Sequence, residues 1–265
     1  MIKILTLGPK GTYSEIACQK IIEKLDNKAV IRYEPSIDLC FNTFKEDILV
    51  LPLENSIDGF VQRTLDLLVK YDNYFISSIE RVDVTFSFVT NEVSIDSVDE
   101  VYVQYKALQQ CLSFLSKFKH LKFIQTESNT ESLEKLMENL DKRAAIIPHH
   151  LVNFPFELTI HHIEDINPNQ TRFACIEKTL HIRNSNNALI VITPNDDRPG
   201  LLYDLLHIFK EHNINLKSII SRPIIDKIGL HHFFLELDIN HKNIQEIIND
   251  FMSIYDVKIR LLGVY

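Results

Sequence analysis

The chain has no long apolar run. No stretch of its 265 residues approaches the ~20 apolar residues of a membrane helix, so no membrane association is expected. Met1–Leu7 is too short an apolar run for a signal peptide and meets a turn at Gly8-Pro9, which predicts a cytoplasmic protein. Cysteine is sparse. Cys18, Cys40, Cys111 and Cys175 lie far apart in apolar surroundings, with no C-x-x-C, and read as reduced core residues. Clustered basic charge is missing too: 28 Lys and Arg stand against 36 Asp and Glu, a formal net charge of -8, with no Lys/Arg-rich run. Nucleic-acid binding needs a concentrated basic surface, so none is expected, and an anionic small molecule would need local cations instead. There is neither a Walker loop nor G-x-G-x-x-G, which predicts no nucleotide and no organic cofactor. Neither H-E-x-x-H nor a Cys/His zinc spacing occurs. The pairs His149-His150, His161-His162 and His231-His232 direct neighbouring side chains apart, so no pair chelates by itself and no metal is expected.

What remains is an ordinary globular composition, 45% hydrophobic and 24% charged, long enough for one large or two ordinary domains. Apolar runs at 2–7, 30–33 and 48–53 predict strands, alternating with helices from Thr12 or Ser14 to Leu25, over 36–44 and over 61–69. Strands alternating with helices imply a mostly parallel sheet. The pattern restarts with a strand over 82–90, a short one at 101–104, a helix over 107–118, a strand over 121–125, a helix over 130–140 and a strand at 144–147. This predicts a second α/β lobe inserted into the first, with Phe173–Glu177 returning to it and a cleft between the two. The polar stretch 181–187 reads as a linker. Beyond it, strands at 188–193, 214–224, 230–239 and 257–264 and helices over 199–211 and 244–252 give β-α-β-β-α-β, a ferredoxin-like unit.

Two polar clusters stand out. The apolar run Ile48–Leu53 leads into Glu54-Asn55-Ser56, and ligands collect beyond the C-terminal ends of such strands. Taken alone, the commoner reading is a polar turn with Ser56 or Asp58 capping the next helix. The second cluster, Asn169-Gln170-Thr171-Arg172-Phe173, lies where the crossover re-enters lobe one. Thr171 can donate and accept a hydrogen bond, and Arg172 can clamp a carboxylate, although both also suit a strand start at the surface. Gly11-Thr12-Tyr13-Ser14 offers the N–H groups of a helix start, a weaker anion signal.

Several motifs follow one another with compatible spacing. They are Gly8-Pro9-Lys10-Gly11-Thr12-Tyr13-Ser14; Pro52 to Gly59, continuing through Val61, Thr64 and Asp66; Ala107-Leu108-Gln109-Gln110-Cys111; Ser128-Asn129-Thr130; Asn169 to Phe173; Gly200-Leu201-Leu202-Tyr203; and Ser221-Arg222-Pro223. In this order, over nearly the full length, they resemble the prephenate dehydratase family with a C-terminal ACT domain, the Thr-Arg-Phe motif being the most diagnostic. The resemblance implies an α/β fold. A two-lobed catalytic domain like a type II periplasmic-binding-protein fold would span 1–180, with lobe one at 1–78 and 164–180 and lobe two at 79–163. The ferredoxin-like ACT domain would span 187–265.

The implied reaction converts prephenate to phenylpyruvate with loss of carbon dioxide and water. Thr171 would be the catalytic donor to the leaving hydroxyl. Glu54 would polarise that network or be its acid, and Arg172 with the amides near Thr12 and Ser14 would hold the dianion. Asn55, Ser56 and Thr64 would orient the substrate, with Gln110 and Phe173 as further contacts. The resemblance also implies phenylalanine as effector, bound near Asn195, Asp197, Gly200, Leu201, Leu202 and Ser221 in a homodimer or homotetramer. Four departures from the pattern are visible: Glu15 and Ser87 stand where the family carries His, Val103-Gln104-Tyr105 replaces Ser-His-Pro, and Ile220 replaces Glu. Arogenate dehydratase, a decarboxylase that leaves the ring unaromatised and a non-catalytic amino-acid sensor are the alternatives. The intact Thr-Arg-Phe motif speaks against the decarboxylase, and retention of Glu54, Thr171 and Arg172 against the sensor.

Overall fold

The computed structural model describes residues 1–25, 28–139, 141–182, 185–225, 227–240 and 242–265. The linker residues Arg183 and Asn184, and Leu140 at the end of one expected helix, lie outside them.

The first α/β stretch runs β1 (Ile2–Leu7), α1 (Tyr13–Leu25), β2 (Ala29–Glu34), α2 (Ile37–Thr43), β3 (Ile48–Asn55), β4 (Gly59–Phe60), α3 (Gln62–Lys70) and β5 (Phe75–Asp83). Leu49, Val50, Leu51 and Leu53 of β3 are fully buried, as a central strand covered on both faces requires. Ser36 caps α2 by accepting the Leu39 N–H.

The second stretch runs β6 (Phe86–Thr90), β7 (Glu100–Gln104), α4 (Tyr105–Gln110), α5 (Leu112–Leu115), β8 (Lys122–Thr126), α6 (Asn129–Glu138), β9 (Arg143–Pro148) and β10 (Leu158–His161). It forms its own five-stranded sheet, ordered β10-β6-β9-β7-β8. The chain then returns as β11 (Gln170–Glu177), antiparallel between β3 and β5. The last stretch is β12 (Asn187–Pro194), α7 (Leu201–Glu211), β13 (Asn215–Pro223), β14 (His231–Asp238), α8 (Ile244–Ile254) and β15 (Val257–Val264), the expected β-α-β-β-α-β order.

Three expectations are corrected. The strand expected over 82–90 is two strands: β5 ends at Asp83, β6 begins at Phe86, and each joins a different sheet. The whole of β5 belongs to the larger sheet, so the expected lobe boundary between 78 and 79 falls inside a strand; Ser77, Ser78, Glu80 and Arg81 blur its alternation in sequence. The helix expected over 107–118 breaks at Cys111, whose φ of -126° and ψ of 21° are not helical.

A cleft lined by residues of both α/β stretches lies between them, while the C-terminal unit extends the first sheet. Its strands continue one ten-stranded sheet, β13-β14-β12-β15-β5-β11-β3-β1-β2, with β4 paired to β3. Among the described residues, the strand ladder across the seam is one pairing, Gly263 of β15 with Ile76 of β5. A Cβ on Gly263 would sit 2.3 Å from the Ile76 carbonyl oxygen, so only glycine permits this approach.

Candidate active site

Strand β3 runs two residues further than its apolar stretch suggests, because β11 pairs with it on one side and β4 on the other. The register sets Thr171 opposite Asn55 and Arg172 opposite Glu54. Side chains alternate along a strand, so Asn55 and Thr171 share one face and Glu54 and Arg172 the other. Asn55 and Thr171 line the cleft between the sheets, a space of about 710 Å³. Arg172 lines a separate cavity of about 720 Å³ with Lys20, Lys24, Arg81 and Tyr265.

The hydrogen bonds of Asn55 define its amide orientation. Oδ1 accepts the N–H groups of Ile57 at 2.9 Å and Asp58 at 3.1 Å, which closes the turn to β4. Nδ2 therefore faces β11 and donates to Asn169 Oδ1 at 2.9 Å, Thr171 Oγ at 3.0 Å and the Gln170 carbonyl at 3.3 Å. Because Asn55 gives a proton to the Thr171 oxygen, the hydroxyl's own proton is left to point at an acceptor in the cleft. Asn169 passes the arrangement across the cleft: its Nδ2 donates to Gln110 Oε1 at 3.0 Å, which turns the Gln110 Nε2 away as a donor.

Polar atoms converge on the cleft from both lobes. Thr12 Oγ and Asn129 Oδ1 are buried without a hydrogen-bond partner among the described residues, and both residues line the cleft. A buried polar atom left unpaired is costly, so both suit contact with a polar ligand. Asn129, at the start of α6, carries a signal that the sequence offered only as part of a weak motif. The loop bearing Thr12 is clamped. Glu15 accepts Gly11 N–H at 2.5 Å and the Tyr33 hydroxyl at 2.8 Å. His150 Nε2 donates to the Gly11 carbonyl at 2.9 Å from the other lobe. Burial lowers the His150 pKa and raises that of Tyr13, so the Tyr13 hydroxyl stays protonated and donates to the Thr85 carbonyl at 2.7 Å. Lys106 on α4 reaches Asp58 at 2.8 Å, a further link between the lobes.

Other expected contacts sit elsewhere. Arg172 does not reach the cleft. It bonds Glu54 at 2.7 Å and, through both terminal nitrogens, Glu236 on β14, with the Tyr265 hydroxyl alongside. Burial works against the guanidinium charge, but Glu236, Tyr265 and Glu54 outweigh it and hold the group protonated beyond its ordinary range. Glu54 thus braces Arg172 instead of meeting Thr171; the expectation of both in one proton network assumed a turn where the strand continues. Ser14 is buried in α1, and its neighbour Tyr13 faces the cleft. Ser56 Oγ accepts Gln170 N–H at 2.9 Å and ties the turn to β11. Thr64 is fully buried and donates to the Pro52 carbonyl, while Phe173 packs in the core beside α1.

In the C-terminal unit, Asp197 and Leu201 line a pocket of only about 20 Å³. Gly200 has φ of +82° and open space around it, Asn195 donates to Asp256, Leu202 is partly exposed and Ser221 lies on the edge strand β13. Two histidines from different sequence pairs meet, His149 Nδ1 with His161 Nδ1 at 3.0 Å beside Ser87. Among the described residues, no group of three or more His, Cys, Asp or Glu is arranged to hold a metal ion.

A family model described as prephenate dehydratase matches residues 4–180, and an ACT domain model matches 194–254. The chain is 30% identical to a prephenate dehydratase of Methanocaldococcus jannaschii over 97% of its own length and 95% of the relative's. It superposes on the crystal structure of a prephenate dehydratase from Staphylococcus aureus with a TM-score of 0.85 at 28% identity, covering 100% of both chains. A prephenate dehydratase from Arthrobacter aurescens in complex with L-Phe shares the fold, with a TM-score of 0.80 at 22% identity over 100% of this chain and 90% of that one.

Proposed function

The chain belongs to the prephenate dehydratase family, and from that premise we propose that it is a carbon–oxygen lyase converting prephenate to phenylpyruvate in the cytoplasm. The observation that carries the reading is the hydrogen bond from Asn55 to the Thr171 oxygen, which leaves the Thr171 proton for the cleft. The bond from the ring to its carboxylate breaks and releases carbon dioxide. Its electron pair enters the ring, the ring C–O bond breaks, and the departing hydroxide takes a proton from Thr171 and leaves as water. Solvent restores the threonine proton. Aromatisation drives the step, and one positioned donor of this kind contributes about a hundredfold to a thousandfold in rate. Thr12, Asn129 and Gln110 orient the substrate. Arg172 and Glu54 act as positioning residues, holding β3 and β11 from the opposite face.

The ACT domain binds phenylalanine near Asn195, Asp197, Gly200, Leu201, Leu202 and Ser221. A pocket of about 20 Å³ is too small for that amino acid within one chain, which supports completion of the site by a second copy in a homodimer or homotetramer. Phenylalanine then controls turnover by its different affinity for two arrangements of the assembly.

Phenylpyruvate formation from prephenate, followed by absorbance with and without phenylalanine, tests this reading. The unmodified chain turns prephenate over, Thr171→Ala loses most turnover while keeping its thermal transition, and phenylalanine shifts the rate below millimolar concentration. Wild-type rates in Thr171→Ala would overturn the role of the hydroxyl. Faster turnover of arogenate than of prephenate would reassign the substrate.

A further inference from the structure

The cleft chemistry leaves a charge unaccounted for. Prephenate carries two carboxylates, yet Arg172 lies on the far side of the sheet. Among the described residues lining the cleft, Lys106 is the one cation, against the carboxylates of Asp58 and Glu127. Lys106 stands in the first turn of α4, directly after the Val103-Gln104-Tyr105 departure. Its backbone is fixed there by Gln104, whose side chain accepts the N–H groups of Lys106 at 2.8 Å and Ala107 at 3.3 Å. Its ammonium meets Asp58 at 2.8 Å, and Asp58 sits on the turn that Asn55 holds closed. The pair is well exposed, with side chains 66% and 43% accessible, so solvent screens it and little is lost in exchanging Asp58 for another carboxylate.

We propose, resting on the dehydratase reading, that Lys106 is a substrate-binding residue that exchanges Asp58 for the side-chain carboxylate of prephenate. The choice between the two substrate carboxylates follows from the reaction. The ring carboxylate must surrender its charge as it leaves as carbon dioxide, and an ammonium paired with it would hold that charge back. The side-chain carboxylate persists unchanged into phenylpyruvate, so an ion pair with it binds substrate and product alike. Asp58 is then a built-in competitor for the same ammonium.

Steady-state kinetics of Lys106→Met, Lys106→Arg and Asp58→Asn, each checked for an unchanged thermal transition, test the assignment. Lys106→Met raises KM at least tenfold, raises the inhibition constant of phenylpyruvate by a similar factor and costs less in kcat than in KM. Lys106→Arg recovers most of the affinity, and Asp58→Asn lowers KM by freeing the ammonium. If Lys106→Met keeps the wild-type KM and inhibition constant, the assignment is wrong. If Asp58→Asn raises KM as Lys106→Met does, the pair is a structural latch between the lobes and the assignment is also wrong. Absence of phenylpyruvate from the unmodified chain is a separate result, which overturns the dehydratase reading and this assignment with it.

Discussion

Replacing Asn55 by Asp keeps the shape of the side chain but reverses its hydrogen bond to Thr171. A carboxylate oxygen in place of Nδ2 faces the Asn169 and Gln170 carbonyl oxygens as a third acceptor and captures the Thr171 proton itself. Asn55→Asp is expected to lower kcat about a hundredfold, the scale of losing one positioned donor. It should also destabilise the fold by about 1–3 kcal/mol through the unpaired acceptors. Steady-state kinetics and a urea titration read both numbers; an unchanged kcat would contradict the proton geometry. A second residue-scale effect is acid sensitivity. The hydrogen bond from Arg32 holds the Glu46 carboxyl down from 4.5 to about 2. A depressed acid stabilises the fold above its unfolded pKa and stops doing so as pH falls through the folded one. This contribution should therefore fade between about pH 4.5 and 2. In Glu46→Gln, the loss of thermal stability across that window should be smaller. At this scale Thr171 and Asn55 were legible as polar groups suited to a cleft, while Gln110 entered only through the family resemblance. The separation of Glu54 and Arg172 from them was not. It depends on whether β3 ends at Leu53 or Asn55, and in a strand each added residue changes face.

Gly263 shows what a single element junction demands. Its backbone lies against Ile76 so closely that one methyl group meets the carbonyl oxygen at 2.3 Å. Gly263→Ala should push β15 off β5 and open the seam of the ten-stranded sheet, at about 1–3 kcal/mol for overpacking. Limited proteolysis near the linker, faster in the variant than in the wild type, checks it; equal rates would show that the seam carries no weight. The sequence period revealed β1, β3 and the C-terminal unit because their apolar runs are clean. It hid β5, where paired serines and a Glu-Arg step interrupt the alternation, and it joined α4 to α5 because Cys111 continues the apolar face of Ala107, Leu108, Phe114 and Leu115.

Across the whole molecule, Arg172 ties β3 and β11 to the C-terminal unit. Glu236 is buried, and removing it leaves the guanidinium short of its main partner, with Glu54 and Tyr265 remaining. Breaking a buried pair typically costs about 3–5 kcal/mol. Glu236→Ala should therefore lower the denaturation midpoint well beyond what a surface Glu→Ala change does, and a surface-sized shift would contradict the contact. Motif order made the two-domain organisation readable, but a contact between residues 64 positions apart in the chain left no local trace. The central claim remains the direction of the proton at Thr171. The most direct measurement is the rate of phenylpyruvate formation from prephenate by the wild type and Thr171→Val, which keeps the strand but removes the hydroxyl. The account predicts turnover in the wild type and a kcat at least a hundredfold lower in the variant, with KM changed far less. Equal kcat values in the two proteins would contradict it.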